Sequence, residues 1–230
     1  MANFILRMVS GLIVILGMVS CASVSVKQGT EVSTAKMPQK IYVAFFDTTR
    51  GKFEVDRVDA ELADFKKNLQ VMMQTALVTD LSHRLIPAVS TDKDHGFQPE
   101  SAWLIRGEFT RVNQGSRLLR GAIGFGAGGT KMETNVSVYN LEQNSNTPFL
   151  TFSTTGGSGA EPGAITAIAT DPVEIAVQAA LGSIGGLAHG CTEDTERTDR
   201  EITAELSDYM YRSGWISEDK RIIPKDLNTQ

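Results

Sequence analysis

The chain has 230 residues, 22 basic and 27 acidic, for a formal charge of −5, and it is 41% apolar and 21% charged with 21 Gly against 7 Pro. That is ordinary globular composition, which excludes collagen-like, coiled-coil and wholly disordered chains. A single segment approaches the apolar length of a membrane span, which excludes a multi-pass protein, and a pI near 5.3 lacks the basic footprint of a nucleic-acid binder.

The first segment, Met1 to Ser20, carries one basic residue, Arg7, and an apolar stretch from Met8 to Val19 broken by Ser10, Gly11 and Gly17. A spanning helix needs ~20 apolar residues, so this shorter run reads as the h-region of a secretory signal. Met18-Val19-Ser20-Cys21 resembles a bacterial lipobox, although Met18 stands where Leu is usual. The resemblance implies cleavage between Ser20 and Cys21 and lipidation of the Cys21 thiol with diacylglycerol and a further acyl chain such as palmitate. Each buried acyl CH₂ contributes ~0.8 kcal/mol, and two or more chains hold a protein stably where one is marginal. Ala22 rather than Asp follows the cysteine, which by the habit of such lipoproteins implies the outer membrane of a Gram-negative cell, with the domain facing the periplasm. The second cysteine, Cys191, then has no partner for an intrachain disulfide and is expected as a small buried residue.

Residues 21–39 are rich in Ser, Thr and Lys and read as a flexible tether. A folded domain is expected over residues 40–213 and a tail over 214–230. Lys40 to Phe46 reads as a buried strand ended by Asp47 and the Arg50-Gly51 turn. From about Asp56 to His83 the spacing of Val58, Leu62, Phe65, Leu69, Met72, Met73, Ala76 and Leu77 predicts a helix with a core-facing stripe. Ala60, Glu61, Lys66, Lys67 and Gln70 fill its other face. Leu85 to Val89 is a short strand weakened by Pro87. Ala102 to Val112 is a strand with Gly107 as a candidate bulge. Lys131 to Leu141 alternates cleanly, and Asn144-Ser145-Asn146 turns it back into a strand over Pro148 to Thr154. Gly156, Gly157, Gly159 and Gly163 mark a linker. Asp171-Pro172-Val173-Glu174 opens a helix running to about Ala188: Asp caps, Pro sits at the first helical position, and Glu follows two residues later. A last helix spans about Glu193 to Arg212, with a narrow apolar stripe of Ile202, Leu206, Tyr209 and Met210 and an otherwise acidic, solvated surface. The order predicts one α+β domain: a single mainly antiparallel sheet with helices packed on one face.

The block from Ile105-Arg106-Gly107-Glu108-Phe109 to Tyr139-Asn140-Leu141 joins two strands through Arg117-Leu118-Leu119-Arg120-Gly121-Ala122-Ile123-Gly124-Phe125-Gly126-Ala127-Gly128. With the lipobox, it resembles the bacterial lipoprotein family called domain of unknown function 4410, over roughly Lys40 to Ala188. That family has no established chemistry, so the resemblance implies an address and a fold but no catalytic residues. At the level of architecture alone, the opening strand and helix also resemble the small α/β domain of periplasmic assembly lipoproteins.

Gly124-Phe125-Gly126-Ala127-Gly128-Gly129 fits G-x-G-x-x-G, but a strand follows where a dinucleotide site needs a helix N-terminus, and no cofactor is expected. Leu118, Leu119, Ile123 and Phe125, flanked by Arg117 and Arg120, form a candidate interaction hairpin suited to a lipid surface or a partner groove. The opposing account folds that tip back onto the domain's own helices. Gly182, Gly186 and Gly190 recur every four residues, as in helix-packing stripes that let another backbone approach, in the same domain or in a second chain. His83, His95 and His189 have no zinc spacing, and no nucleophile elbow occurs. Asp92, Asp94 and His95 cluster in a loop, and Asp47 ends the first strand, where it serves either function or the following turn.

These readings favour a non-enzymatic, membrane-anchored envelope lipoprotein whose periplasmic domain binds an envelope protein or self-associates. The alternatives are a small-ligand-binding protein or hydrolase using Asp47, Asp92, Asp94 and His95, and an oligomeric subunit of an envelope secretion or assembly complex.

Overall fold

Period-two burial builds the sheet. In the computed structural model, which describes residues 24–32, 36–93, 95–115, 129–143, 146–157, 172–182 and 189–224, strand β6 (Lys131–Asn140) buries Met132, Thr134, Val136, Val138 and Asn140. Strand β7 (Leu150–Gly156) buries Leu150, Phe152 and Thr154 in the same way. Strands β1 (Val24–Glu31), β2 (Lys40–Ala44), β3 (Lys52–Glu54), β4 (Ala88–Thr91) and β5 (Ala102–Asn113) complete a seven-stranded sheet. Its order is β1-β7-β6-β5-β2-β4, with β3 added beside the end of β5.

The class is α+β, and the sheet is mixed rather than mainly antiparallel. β1, β7, β6 and β5 pair antiparallel, whereas β5–β2, β2–β4 and β3–β5 pair parallel. The cause is the connection between β2 and β4, which carries helix α1 (Asp59–Arg84). A crossover of that length returns the chain parallel to its start, while hairpins return it antiparallel. Helices α1 and α3 (His189–Arg212) touch the sheet and each other, and α2 (Pro172–Gly182) lies on α1. The helix on the long apolar stripe starts and ends close to expectation, with Phe65, Leu69, Met72, Met73, Ala76 and Leu77 buried. Among the described residues no helix is long and apolar enough to cross a membrane.

Five expectations change. The supposed tether holds β1, which pairs with β7 from Val24↔Gly156 to Glu31↔Leu150. Lys27 to Glu31 are exposed and Val26 is buried. Val24-Ser25-Val26-Lys27 alternates for only two periods before the strand turns polar from Gln28 to Glu31, so its sequence signal is short and its place comes from pairing with β7.

The supposed tail is a strap. Gly214 turns in the left-handed region (φ 75°), and Trp215 reaches the Trp103 and Tyr209 rings at 5.9 Å each. Ile222 N–H then donates to Ser207 Oγ at 2.8 Å, and Arg221 Nη2 meets Asp208 at 2.6 Å.

Gly107 is not the bulge. The irregularity falls between Phe109 and Arg111, and a Cβ on Gly107 would collide with the Phe46 ring. Gly107 therefore lets Phe46 lie on the strand.

Gln70, placed on the polar face of α1, donates from Nε2 to Phe46 O at 2.7 Å. One turn on, Gln74 Nε2 ties Val43 O at 2.8 Å and Thr91 O at 2.9 Å, clamping the ends of β2 and β4 to the helix.

Finally, α3 is not a solvated helix. Every residue from Glu201 to Met210 is buried, because the sheet, α1 and the strap cover it on different sides.

Candidate functional site

The lipobox with Ser20 and Cys21, the hairpin residues Leu118, Leu119, Ile123 and Phe125, and Gly186 and Asp94 lie outside the described residues. The other candidates are placed. Asp47 is a turn residue: Oδ1 accepts from Thr49 N–H at 2.8 Å and Oδ2 from Thr49 Oγ1 at 2.9 Å. The Thr49 N–H bond is the largest of the effects that hold its carboxyl below the ordinary value. Asp92 and His95 are exposed, and among the described residues no group of His, Cys, Asp or Glu converges to hold a metal.

Two glycines of the stripe are described, Gly182 in α2 and Gly190 in α3. Gly182 ends α2, with nothing near the position of an added Cβ. Gly190 lies in the first turn of α3, where an added Cβ would stand 2.5 Å from Thr130 Cγ2. Close approach is thus needed at Gly190, against the segment entering β6. Cys191, next along, is buried, and burial is the main cause that pushes its thiol up to about 12.

One end of the sheet gathers several of these features. Val24 of β1, Gly156 of β7, Met132 of β6, Val112 of β5 and Phe53 of β3 form a single cross-strand row. The connection after β5 leaves from this end and the chain re-enters β6 here. Cys21 lies three positions before Val24 in the chain.

A second locus was not legible in the sequence. A cleft of about 180 Å³ opens between the three helices and is lined by Asp80 and Arg84 of α1, Val177 and Gln178 of α2, and Glu196 and Asp199 of α3, with Arg197 and Arg200 beside them. Met72 and Ala76 of α1 pack on Val177 and Leu181 of α2 to form its apolar support. Asp80 and Asp199 are only 3% and 2% exposed. Arg84 Nε donates to Asp80 Oδ1 at 2.5 Å, and the Arg200 backbone N–H favours the charged form of Asp199. Asp80 Oδ2 and Asp199 Oδ2, both buried, have no hydrogen-bond partner. Burial first, and the Asp80 charge second, push the Asp199 carboxyl well above the ordinary range. Three of the four other buried acids of α3 have side-chain partners as follows: Asp194 has Arg197, Glu205 has Gln28, and Asp208 has Arg212 and Arg221. No sequence pattern marks this cleft. Asp80 and Asp199 lie far apart in the chain, and each reads alone as one more acid on a helix.

The chain belongs to the family described as Domain of unknown function (DUF4410), whose model matches residues 20–171. No curated protein matches it. Among solved structures it is similar to a PelC dodecamer from Paraburkholderia phytofirmans carrying one substitution, at 11% identity over 69% of this chain and 96% of that one, with a TM-score of 0.37. A second PelC dodecamer from the same organism gives 11% identity over 59% of this chain and 82% of that one, with a TM-score of 0.35.

Proposed function

We propose that the protein is a lipid-anchored envelope protein, attached through Cys21 to the outer membrane and facing the periplasm, whose α+β domain binds an envelope protein or a second copy of itself without catalysing a reaction. The observation that carries this reading is the short covalent distance from Cys21 to the fold. Only Ala22 and Ser23 separate the lipobox cysteine from Val24, the first residue of β1. Three Cα steps of 3.8 Å reach ~11 Å at most. A lipidated Cys21 therefore holds the Val24–Gly156–Met132 end of the sheet against the bilayer instead of on a long tether. The connection that carries Leu118, Leu119, Ile123 and Phe125 departs from that same end, and the proposal assigns these four residues to contact with lipid or a membrane-bound partner.

Two measurements test the reading. Mass spectrometry of the N-terminal peptide is expected to find Cys21 acylated and residues 1–20 removed, and Cys21→Ser is expected to shift the protein out of the membrane fraction. A bare Cys21 in the native protein defeats the proposal. With the anchor intact, the double variant Ile123→Asp and Phe125→Asp is expected to lose crosslinks to its envelope partner; unchanged crosslinks would remove the hairpin from the account and leave the anchor standing.

A further inference from the structure

We propose that the cleft between α1, α2 and α3 is a binding site for a small primary-amine cation, whose N–H groups satisfy Asp80 Oδ2 and Asp199 Oδ2. This inference is independent of the lipid anchor. It starts from two buried carboxylate oxygens without a hydrogen-bond partner, on side chains that line one cavity. Buried polar atoms in native proteins are nearly always paired, and an unpaired one signals a missing partner. Two acceptor oxygens call for a donor, and an ammonium offers three N–H groups with a charge that matches two carboxylates.

The surroundings narrow the chemistry. A metal is disfavoured, because no group of three ligating side chains converges among the described residues. Two of the three arginines that line the cleft are committed to carboxylates, Arg84 to Asp80 and Arg197 to Asp194 and Glu193, which weighs against an anion. A cavity of about 180 Å³ accommodates a short alkyl amine rather than a single water, since each liquid water occupies ~30 Å³. Val177 supplies apolar lining for the methylenes, and Gln178, also in the lining, is exposed to solvent.

Binding is coupled to a proton. With the site empty, burial and the Asp80 charge favour the protonated form of Asp199, whose proton stands in for the missing donor. When the ammonium enters, the Asp199 proton leaves to solvent, the carboxylate pairs with the cation, and no other bond changes. The charged groups facing Asp199 are Asp80 and Arg84 from α1 and Glu196 and Arg200 from its own helix, while Val177 and Gln178 of α2 are uncharged. Affinity therefore rises with pH.

The test is titration calorimetry of the detergent-solubilised full chain with 1,4-diaminobutane and with methylammonium, at pH 6 and pH 8, against sodium chloride at equal ionic strength. Saturable binding is expected at pH 8, weaker at pH 6, with heats that vary with buffer as a proton is released. Asp199→Asn, of equal size, is expected to weaken binding at least tenfold while retaining its circular dichroism and melting transition. Gln178→Trp, at an exposed position, is expected to block entry and covers the case in which Asp199→Asn fails to fold. No saturable heat at pH 8, or affinities within twofold of the parent in both variants, overturns the proposal.

Discussion

Helices α1 and α3 lie on the same face of the same sheet and are buried by different means. α1 is an amphipathic helix of the ordinary kind: Phe65, Leu69, Met73, Leu77 and Leu81 enter the core while Glu61, Asp64 and Lys67 meet solvent. α3 is covered on nearly every side, and from Asp194 to Asp208 it encloses five carboxylates as well as Ile202, Leu206, Tyr209 and Met210. α1 is held chiefly by removal of apolar surface from water. α3 also depends on whether each enclosed acid meets a donor, because a buried charge without a partner is costly. The same sheet face thus supports a helix governed by packing and a helix governed by polar pairing, and they should respond differently to substitution.

The sharpest break is expected in α1. Leu69→Ala removes a fully buried side chain and should lower stability by about 4 kcal/mol in urea unfolding, through lost transfer energy and the cavity left behind. A loss below 1 kcal/mol would show that α1 is not the packed element. In α3, Asp208→Ala deprives Arg212 and Arg221 of their shared acceptor and releases the strap. Because both arginines are about one-third exposed, the loss should reach about 2 to 3 kcal/mol rather than the full value of a buried pair. Limited proteolysis after Tyr211 should accelerate with it; an unaltered cleavage pattern would contradict the strap.

Glu205 gives the comparison a sign. Burial pushes its carboxyl up to about 7, from 4.5 in the ordinary state. Between those values the native chain holds a proton that the unfolded chain has released, so stability falls as pH rises through that window. Glu205→Gln should flatten this slope, raising stability by about 2 kcal/mol at pH 8 and leaving it unchanged at pH 4. Parallel pH profiles for parent and variant would rule the group out. The smallest effect concerns Cys191: with its thiol buried and pushed up to about 12, alkylation in the native state should be negligible until urea unfolds the chain. Rapid alkylation in buffer would mean that the start of α3 opens.

The elements that sequence reading placed well have a strong local signal. The stripe from Phe65 to Leu77 repeats at helical spacing over a long window, and Met132, Val136 and Val138 alternate over a whole strand. Where one residue's signal depended on a distant neighbour, the reading went astray. β1 carries only Val26 as a buried apolar side chain among its described ones and owes its place to β7. Gly107 looks like a bulge until the Phe46 ring is laid on it. Trp215 looks like part of a tail until Trp103 and Tyr209 are in position.

Residue order by itself determined the type of the elements with a sustained local period, the α+β class, the family to which residues 20–171 belong and the expectation of a lipid anchor at Cys21. All of these depend on spacing within a few residues of one another. Tertiary structure decided the parallel half of the sheet, the recruitment of residues 24–31 and 214–222 into the fold, and the meeting of Asp80 with Asp199 beneath one cleft. Periodicity reports which face of an element is apolar. It does not report what covers the other face, and for the acids of α3 that cover sets their charge, their partners and any ligand they hold.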